Sequence, residues 1–216
     1  MIVLASKSSG RLATLRAAGI EPQVAVSEVD ERAVEQQVRS AQPDCGPQVV
    51  VQALALAKAQ AVARQLASCE QAEGWRYVVG CDSMLLIDGQ LVGKPASGDD
   101  AVERWHSMRG RSATLFTGHA VIALSPTEVY SPDSPQAQGV SRAVINFAQV
   151  SDKEIAAYVA SGEPMYCAGA FTIDGLGGAF IESIEGDPHG VVGLSLPLLR
   201  RLLAQLGVTW TDLWHS

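Results

Sequence analysis

The chain has 216 residues, 47% of them hydrophobic, and a formal net charge of -7 at pH 7. That apolar content can bury a substantial core, which excludes a disordered chain, and the length over residues 1–216 fits one domain or two closely packed lobes better than separate domains. The acidic balance argues against a general nucleic-acid binder but leaves room for a small anion held by a local cluster of cations. Cys45, Cys69, Cys81 and Cys167 are widely spaced, form no C-x-x-C pair and read as reduced thiols. The opening Met1–Ala5 is too short for a signal segment, and no stretch reaches the ~18 apolar residues that cross a bilayer, so no membrane partner is expected and the cytoplasm is the default location.

Ile2 to Ala5 predicts a short buried strand, and the small-residue turn Ser6–Gly10 leads into a helix with Leu12, Leu15 and Ala18 at helical spacing and Gly19 as its stop. A second strand is expected near Gln23 to Val26, before the acidic run Glu28–Glu31. Gln42 to Pro47 then forms a loop ahead of a long Ala-rich helix from about Gln48 to Leu66. Tyr77–Val79 and Met84–Ile87 are β-prone runs on either side of Gly80-Cys81-Asp82-Ser83, with Asp88-Gly89 as a hairpin turn, so Asp82 falls on a strand or at its bend. A helix over Gly98–Met108, a strand over Ala113–Leu124, a Ser/Pro-rich loop over Ser125–Gly139 and a returning strand through Val144–Phe147 follow. Ser151-Asp152-Lys153-Glu154 is a capping box that opens a helix to about Ala160, where Gly162-Glu163-Pro164 breaks it. Phe171–Ile173 and Ala179–Ile184 predict two further strands, and Leu194–Leu206 a final amphipathic helix.

Four lysines occur in the whole chain, and two of them stand in turns: Lys7 between the first strand and helix, and Lys94 in Gly93-Lys94-Pro95. A small-residue turn entering a helix offers N–H groups to an anion, and Arg11 one turn later can add a bidentate fork; an ordinary cap followed by an exposed arginine fits the same residues. Glu31 and Asp82 lie in polar breaks beside apolar segments, which suits oxygen ligands for Mg²⁺ or a base for water, and equally suits turn caps. Lys58 interrupts an apolar helix, either as a snorkelling side chain or as a phosphate clamp. His106, His119, His189 and His215 show no catalytic or metal spacing, and the P-loop pattern is absent.

Taken in order, Leu4-Ala5-Ser6-x-Ser8-x-x-Arg11, Val29-Asp30-Glu31, Leu54-Ala55-x-x-Lys58-Ala59, Gly80-x-Asp82, Gly93-Lys94-Pro95, Thr117-Gly118, Gly162-Glu163-Pro164, Ala168-Gly169-Ala170-Phe171 and Gly186-Asp187-x-x-x-Val191-Val192-Gly193-Leu194 resemble the successive motifs of the Maf family across nearly the whole chain. The resemblance implies an α/β fold related to inosine triphosphatase, a twisted mixed sheet with flanking helices and two lobes around a central cleft. It implies hydrolysis of nucleoside triphosphates to monophosphate and pyrophosphate, with Mg²⁺ or Mn²⁺ as cofactor. Asp82 matches the family's catalytic acidic position; Ser6, Ser8, Arg11, Lys58 and Lys94 match substrate-binding positions, and Glu31 with Asp82 the metal. A nucleotide is the expected partner, with no nucleic acid, and a homodimer is the assembly allowed for. The family's link with septum formation keeps a second reading open, a nucleotide-sensing regulator with little or no catalysis.

The departures concern substrate choice. Gly10 occupies a specificity position that is often arginine or tryptophan in the family, Ser83 follows Asp82 where threonine or glutamine is usual, and Asp174 replaces a glutamine or glutamate. These positions match neither the pyrimidine-triphosphate type nor the 7-methyl-GTP type. Tyr166-Cys167 and Gly190 also depart from the usual residues. The segment Phe171–Phe180 with Gly186-Asp187-Pro188-His189 resembles actinobacterial members.

Overall fold

A computed structural model describes residues 1–67, 76–127 and 130–214; Cys69 and His215 lie outside the described residues. The described strands are β1 (Ile2–Leu4), β2 (Gln23–Val24), β3 (Arg76–Ile87), β4 (Gln90–Val92), β5 (Ser112–Leu124), β6 (Gln136–Phe147) and β7 (Ile181–Gly186). The described helices are α1 (Ser9–Ala17), α2 (Glu31–Ala41), α3 (Pro47–Ala67), α4 (Gly98–Met108), α5 (Asp152–Ala160), α6 (Pro188–Val192) and α7 (Leu196–Gln205). All seven strands join one mixed sheet in the order β2-β1-β3-β5-β6-β7, with β4 paired to β3. β1 runs parallel to both β2 and β3, and the remaining pairings are antiparallel. The expected mixed α/β architecture with flanking helices is therefore present.

Several sequence expectations change in detail. β3 runs unbroken through Gly80–Ser83, and β6 starts at Gln136, inside the segment read as loop. Residues 31–41 form a helix because Asp30 caps it, accepting from Ala33 N at 3.0 Å; its short apolar stripe, Val34 and Val38, is only half-buried. The five-residue α6 is likewise set by its cap, Asp187, which accepts from the backbone of His189 and Gly190. Phe171–Ile173 is not a strand. Its β-prone residues serve the core instead: Phe171 packs edge-on against Phe147 at 5.1 Å, and the Trp105 indole donates to Ala170 O at 2.8 Å. The capping box of α5 forms as expected, with reciprocal bonds between Ser151 and Glu154.

The core is built in three parts. Val78, Ala120 and Ile122 of the sheet pack under Ala55, Ala59 and Val62 of α3 on one face. On the opposite face, Val79, Cys81 and Val121 meet Leu15 of α1 and Leu199, Leu202 and Leu203 of α7. Trp105 of α4 and Tyr158 of α5 cover the far end of the sheet with Leu85, Leu115 and Ile145. Cys45, Cys81 and Cys167 are free thiols. No helix among the described residues is long and apolar enough to cross a membrane.

Two close contacts fix α3 on its face. A Cβ at Gly80 would lie 2.2 Å from Ala55 O, and one at Gly118 would lie 2.2 Å from Val51 O, so only glycine at both positions lets the helix backbone rest on the strands. On the other face, the buried His119 ties β5 to α7: its Nε2 accepts from Ser195 N at 2.8 Å, and Nδ1 lies 3.0 Å from Thr117 O. Since Nε2 must accept, Nδ1 carries the proton and the ring is neutral. Burial lowers its pKa from 6.5 to about 4, against the opposing pull of the Thr117 carbonyl.

Gly80→Ala must push α3 off the sheet and should destabilise the protein by about 1–3 kcal/mol or more, whereas Gly93→Ala, with open space at its Cβ, should stay within about 0.5 kcal/mol; urea midpoints compare the two. For His119, the unfolded chain binds a proton near pH 6.5 that the folded chain refuses until about pH 4. Its contribution is therefore complete above the unfolded pKa and is lost as pH falls through this window. Urea titrations from pH 7 to 4 should show a decline that His119→Gln flattens.

Candidate active site

β3 has one edge fully paired to β5, while its other edge is shared by two short partners. β1 pairs with Tyr77–Val79 and β4 with Leu85–Ile87, which leaves Gly80–Met84 without a strand neighbour on that side. The gap brings groups from both faces of the sheet within reach of one strand edge. Because side chains alternate along a strand, Asp82 shares the α3 face with Val78 and Gly80, and Ser83 points to the opposite face.

On the α3 face, Lys58 is buried one helical turn from Leu54 and Val62, and its Nζ lies 2.5 Å from Asp82 Oδ1 and 2.8 Å from Glu31 Oε1. The seating of Ala55 and Ala59 over Gly80 delivers the ammonium to this depth, so Lys58 is an ion-pair member and does not snorkel to solvent. Glu31 stands at the first position of α2 with its side chain 56% exposed, at the mouth of the pair. Burial raises the pKa of the Asp82 carboxyl, and the ammonium of Lys58 and the guanidinium of Arg11 oppose that shift without cancelling it.

On the other face, Arg11 of α1 is held at three points: Nε donates to Gly193 O at 2.8 Å, Nη1 to Ser6 Oγ at 3.0 Å and Nη2 to Ser83 Oγ at 3.3 Å. Ser83 and Thr117 are directly opposite in the β3–β5 register, with hydroxyls 2.9 Å apart. Thr117 gives its single proton to Gly190 O at 2.9 Å, so Ser83 must donate to Thr117 and accept from Arg11. The relay runs Arg11 to Ser83 to Thr117 to Gly190, and it commits the Ser83 proton to the protein. Thr117 had no assigned role from sequence; the relay depends on cross-strand register, which a linear pattern does not display.

The other expected site residues are distributed around this centre. Ser8 caps α1, its Oγ accepting from Arg11 N at 3.3 Å, and Ser6 Oγ also accepts from Ser8 N at 3.2 Å. Lys94 is exposed in the β4–α4 loop, and among the described residues no hydrogen bond or ion pair joins its side chain to Asp82, Lys58 or Arg11. Arg104, paired with Asp100, pins that loop by donating to Gly93 O at 2.6 Å. Gly10 and Asp174, far apart in sequence, are neighbours: a Cβ on Gly10 would lie 3.6 Å from Asp174 Oδ2 and 3.0 Å from Val192 Cγ1. Asp174 Oδ1 accepts from the Thr172 hydroxyl. Ser83 is bonded to Arg11, the residue after Gly10.

Among the described residues, no three His, Cys, Asp or Glu side chains cluster to hold a metal ion by themselves. Glu31 and Asp82 do converge on one cation, the Lys58 ammonium, and two hard carboxylates would suit a divalent ion.

The profile of the Maf-like protein family matches residues 1–206. A curated protein of Rhodococcus erythropolis is 50% identical over 215 residues, covering 100% of this chain and 97% of the relative. One of Nocardia farcinica is 50% identical over 218 residues, covering 99% of this chain and 96% of the relative. One of Salinispora tropica is 50% identical over 213 residues, covering 99% and 87%. Each of these relatives is named nucleoside triphosphate pyrophosphatase.

Removing one partner from a buried pair leaves the other charge unpaired. Lys58→Met should therefore cost about 3–5 kcal/mol at neutral pH, and adding Asp82→Asn in that background should recover most of the loss. Urea unfolding of the single and double variants at pH 7 reads this directly.

Proposed function

Because the chain belongs to the Maf-like protein family, we propose that it hydrolyses nucleoside triphosphates, modified ones included, between the α and β phosphates, releasing nucleoside monophosphate and pyrophosphate. The observation that carries this reading is the buried Asp82 carboxylate, at an open strand edge, between the cations Lys58 and Arg11.

A triphosphate repels nucleophiles until its oxygens are neutralised. Arg11, held at three points, is a fixed fork for phosphate oxygens, and Lys58 supplies a second positive charge from the opposite face of the sheet. Lys94 adds a third from the rim of the β4–α4 loop. When phosphate draws the Lys58 ammonium toward itself, Asp82 Oδ1 is left free to accept the proton of the attacking water. The raised pKa of Asp82 makes it a stronger base than an exposed aspartate once it is ionised. Glu31 and Asp82 are the proposed holders of Mg²⁺ or Mn²⁺, which when bound supplies positive charge to the phosphate oxygens. Glu31, the exposed member, is its main ligand, since a carboxylate bonded directly to metal is a poorer base. With phosphates at Arg11 and Lys58, the proposed place of the base is toward Asp174, which faces Gly10 beside Val192. The proposed setting is the cytoplasm, in clearance of unwanted nucleotides.

A pyrophosphate-release screen over canonical, methylated and deaminated nucleoside triphosphates, in Mg²⁺ and in Mn²⁺, tests the reading. Asp82→Asn, which keeps an acceptor for Lys58, should lower kcat by about 10²–10⁴ with the fold retained. In the wild type, activity should rise with pH as Asp82 ionises, at a pH above that of an ordinary aspartate. Unchanged kcat in the variant would falsify the assignment of Asp82 as base.

A further inference from the structure

Glu163 lies outside the cluster around Asp82, at the start of the 3₁₀ turn Glu163–Tyr166. Its carboxylate reaches across to a different segment. Oε2 accepts from Leu176 N and Oε1 from Gly177 N, each at 2.9 Å. These are the first N–H groups of the 3₁₀ turn Leu176–Phe180, which has no side-chain cap of its own. Glu163 therefore does from thirteen residues upstream what a local cap does elsewhere.

The fit is specific to a carboxylate in this place. A Cβ on Gly175 would stand 2.3 Å from Glu163 Oε2, so glycine at that position makes room for the anchor. Burial disfavours the charge, but the backbone N–H groups of Gly177 and Leu176, together with the Tyr158 hydroxyl, outweigh it and hold the Glu163 carboxyl below its ordinary pKa. At neutral pH it is an acceptor at both oxygens, as two N–H donors require.

The anchored segment begins two residues after Asp174, the residue whose Oδ2 faces Gly10 on α1. Thr172 fixes the side chain of Asp174 locally; Glu163 fixes the backbone that follows it. We propose that Glu163 is a positioning residue for base recognition, which sets the place of Asp174 against α1 and so governs discrimination between nucleobases without acting on the phosphates at Asp82. This rests on the substrate orientation proposed above.

The test is steady-state pyrophosphate release by the wild type, Glu163→Gln, Asp174→Ala and the double variant, on a panel of nucleoside triphosphates and on ribose 5-triphosphate, which has no base. Glu163→Gln replaces one acceptor by a donor facing an N–H. It should raise KM for the preferred nucleotide roughly tenfold with kcat within about twofold, and narrow the preference among bases. Ribose 5-triphosphate should be hydrolysed as by the wild type. In the Asp174→Ala background, Glu163→Gln should change base preference no further. Melting temperatures confirm folding, and if Glu163→Gln fails to fold, Glu163→Asp, which keeps both oxygens on a shorter arm, carries the same comparison. Equal losses on nucleotide and ribose 5-triphosphate, additivity in the double variant, or unchanged base preference would each overturn the proposal. A wild type that releases pyrophosphate from no nucleotide overturns the underlying substrate reading instead.

Discussion

Two opposite charges, the Lys58 ammonium and the Asp82 carboxylate, sit 2.5 Å apart in the interior of this protein, and the surrounding fold must keep them together. Taking such groups out of water costs several kcal/mol each, so the pair is tolerable only while its geometry holds. That requirement reaches back to backbone packing. Lys58 rides on α3, Asp82 on β3, and the distance between helix and strand is set by the bare glycines Gly80 and Gly118 beneath the helix. Glu31 completes the arrangement from α2, a helix with little buried surface of its own, so the half-exposed carboxylate is the adjustable member.

The strand edge gives the pair its use. A continuous sheet would have sealed Gly80–Met84 between neighbours, but β1 ends too early and β4 begins too late to cover them. Cationic groups from both faces can then attend one anion at the gap, Lys58 from the α3 side and Arg11 from the α1 side. Their rigidity differs in kind. Arg11 is fixed by a directed chain of hydroxyls and carbonyls, which preorganises its fork, while Lys58 is fixed by the carboxylates of Asp82 and Glu31.

Elsewhere, polar side chains tie distant segments to the scaffold. His119 secures the start of α7 through Ser195, the Trp105 indole secures the chain at Ala170, and Glu163 secures the glycine-rich turn that carries Asp174 toward Gly10. Each is a bond between segments separated along the chain. Irregular backbone can thereby present a defined surface without a ladder of its own.

Much of this was legible in the residues alone. Apolar runs and periodicity located β1, α1, β5 and α7, Ala-rich composition located α3, and the Ser151–Glu154 capping box located α5. Helices α2 and α6 were not legible, since both depend on a single aspartate cap and bury little, and Phe171–Ile173 read as a strand although its side chains fill an aromatic core. For the site, motif order in the sequence singled out Arg11, Glu31, Lys58 and Asp82 as candidates, and the structure gathers them from both faces at one strand edge. Only the tertiary structure decided that Lys58 bridges Glu31 and Asp82, that Ser83 spends its proton on Thr117, that Lys94 stays at the rim, and that Gly10 meets Asp174. Residue types record which chemistry is available, but strand register and helix-to-sheet distance determine which groups touch, and those are set by packing between segments far apart in the chain.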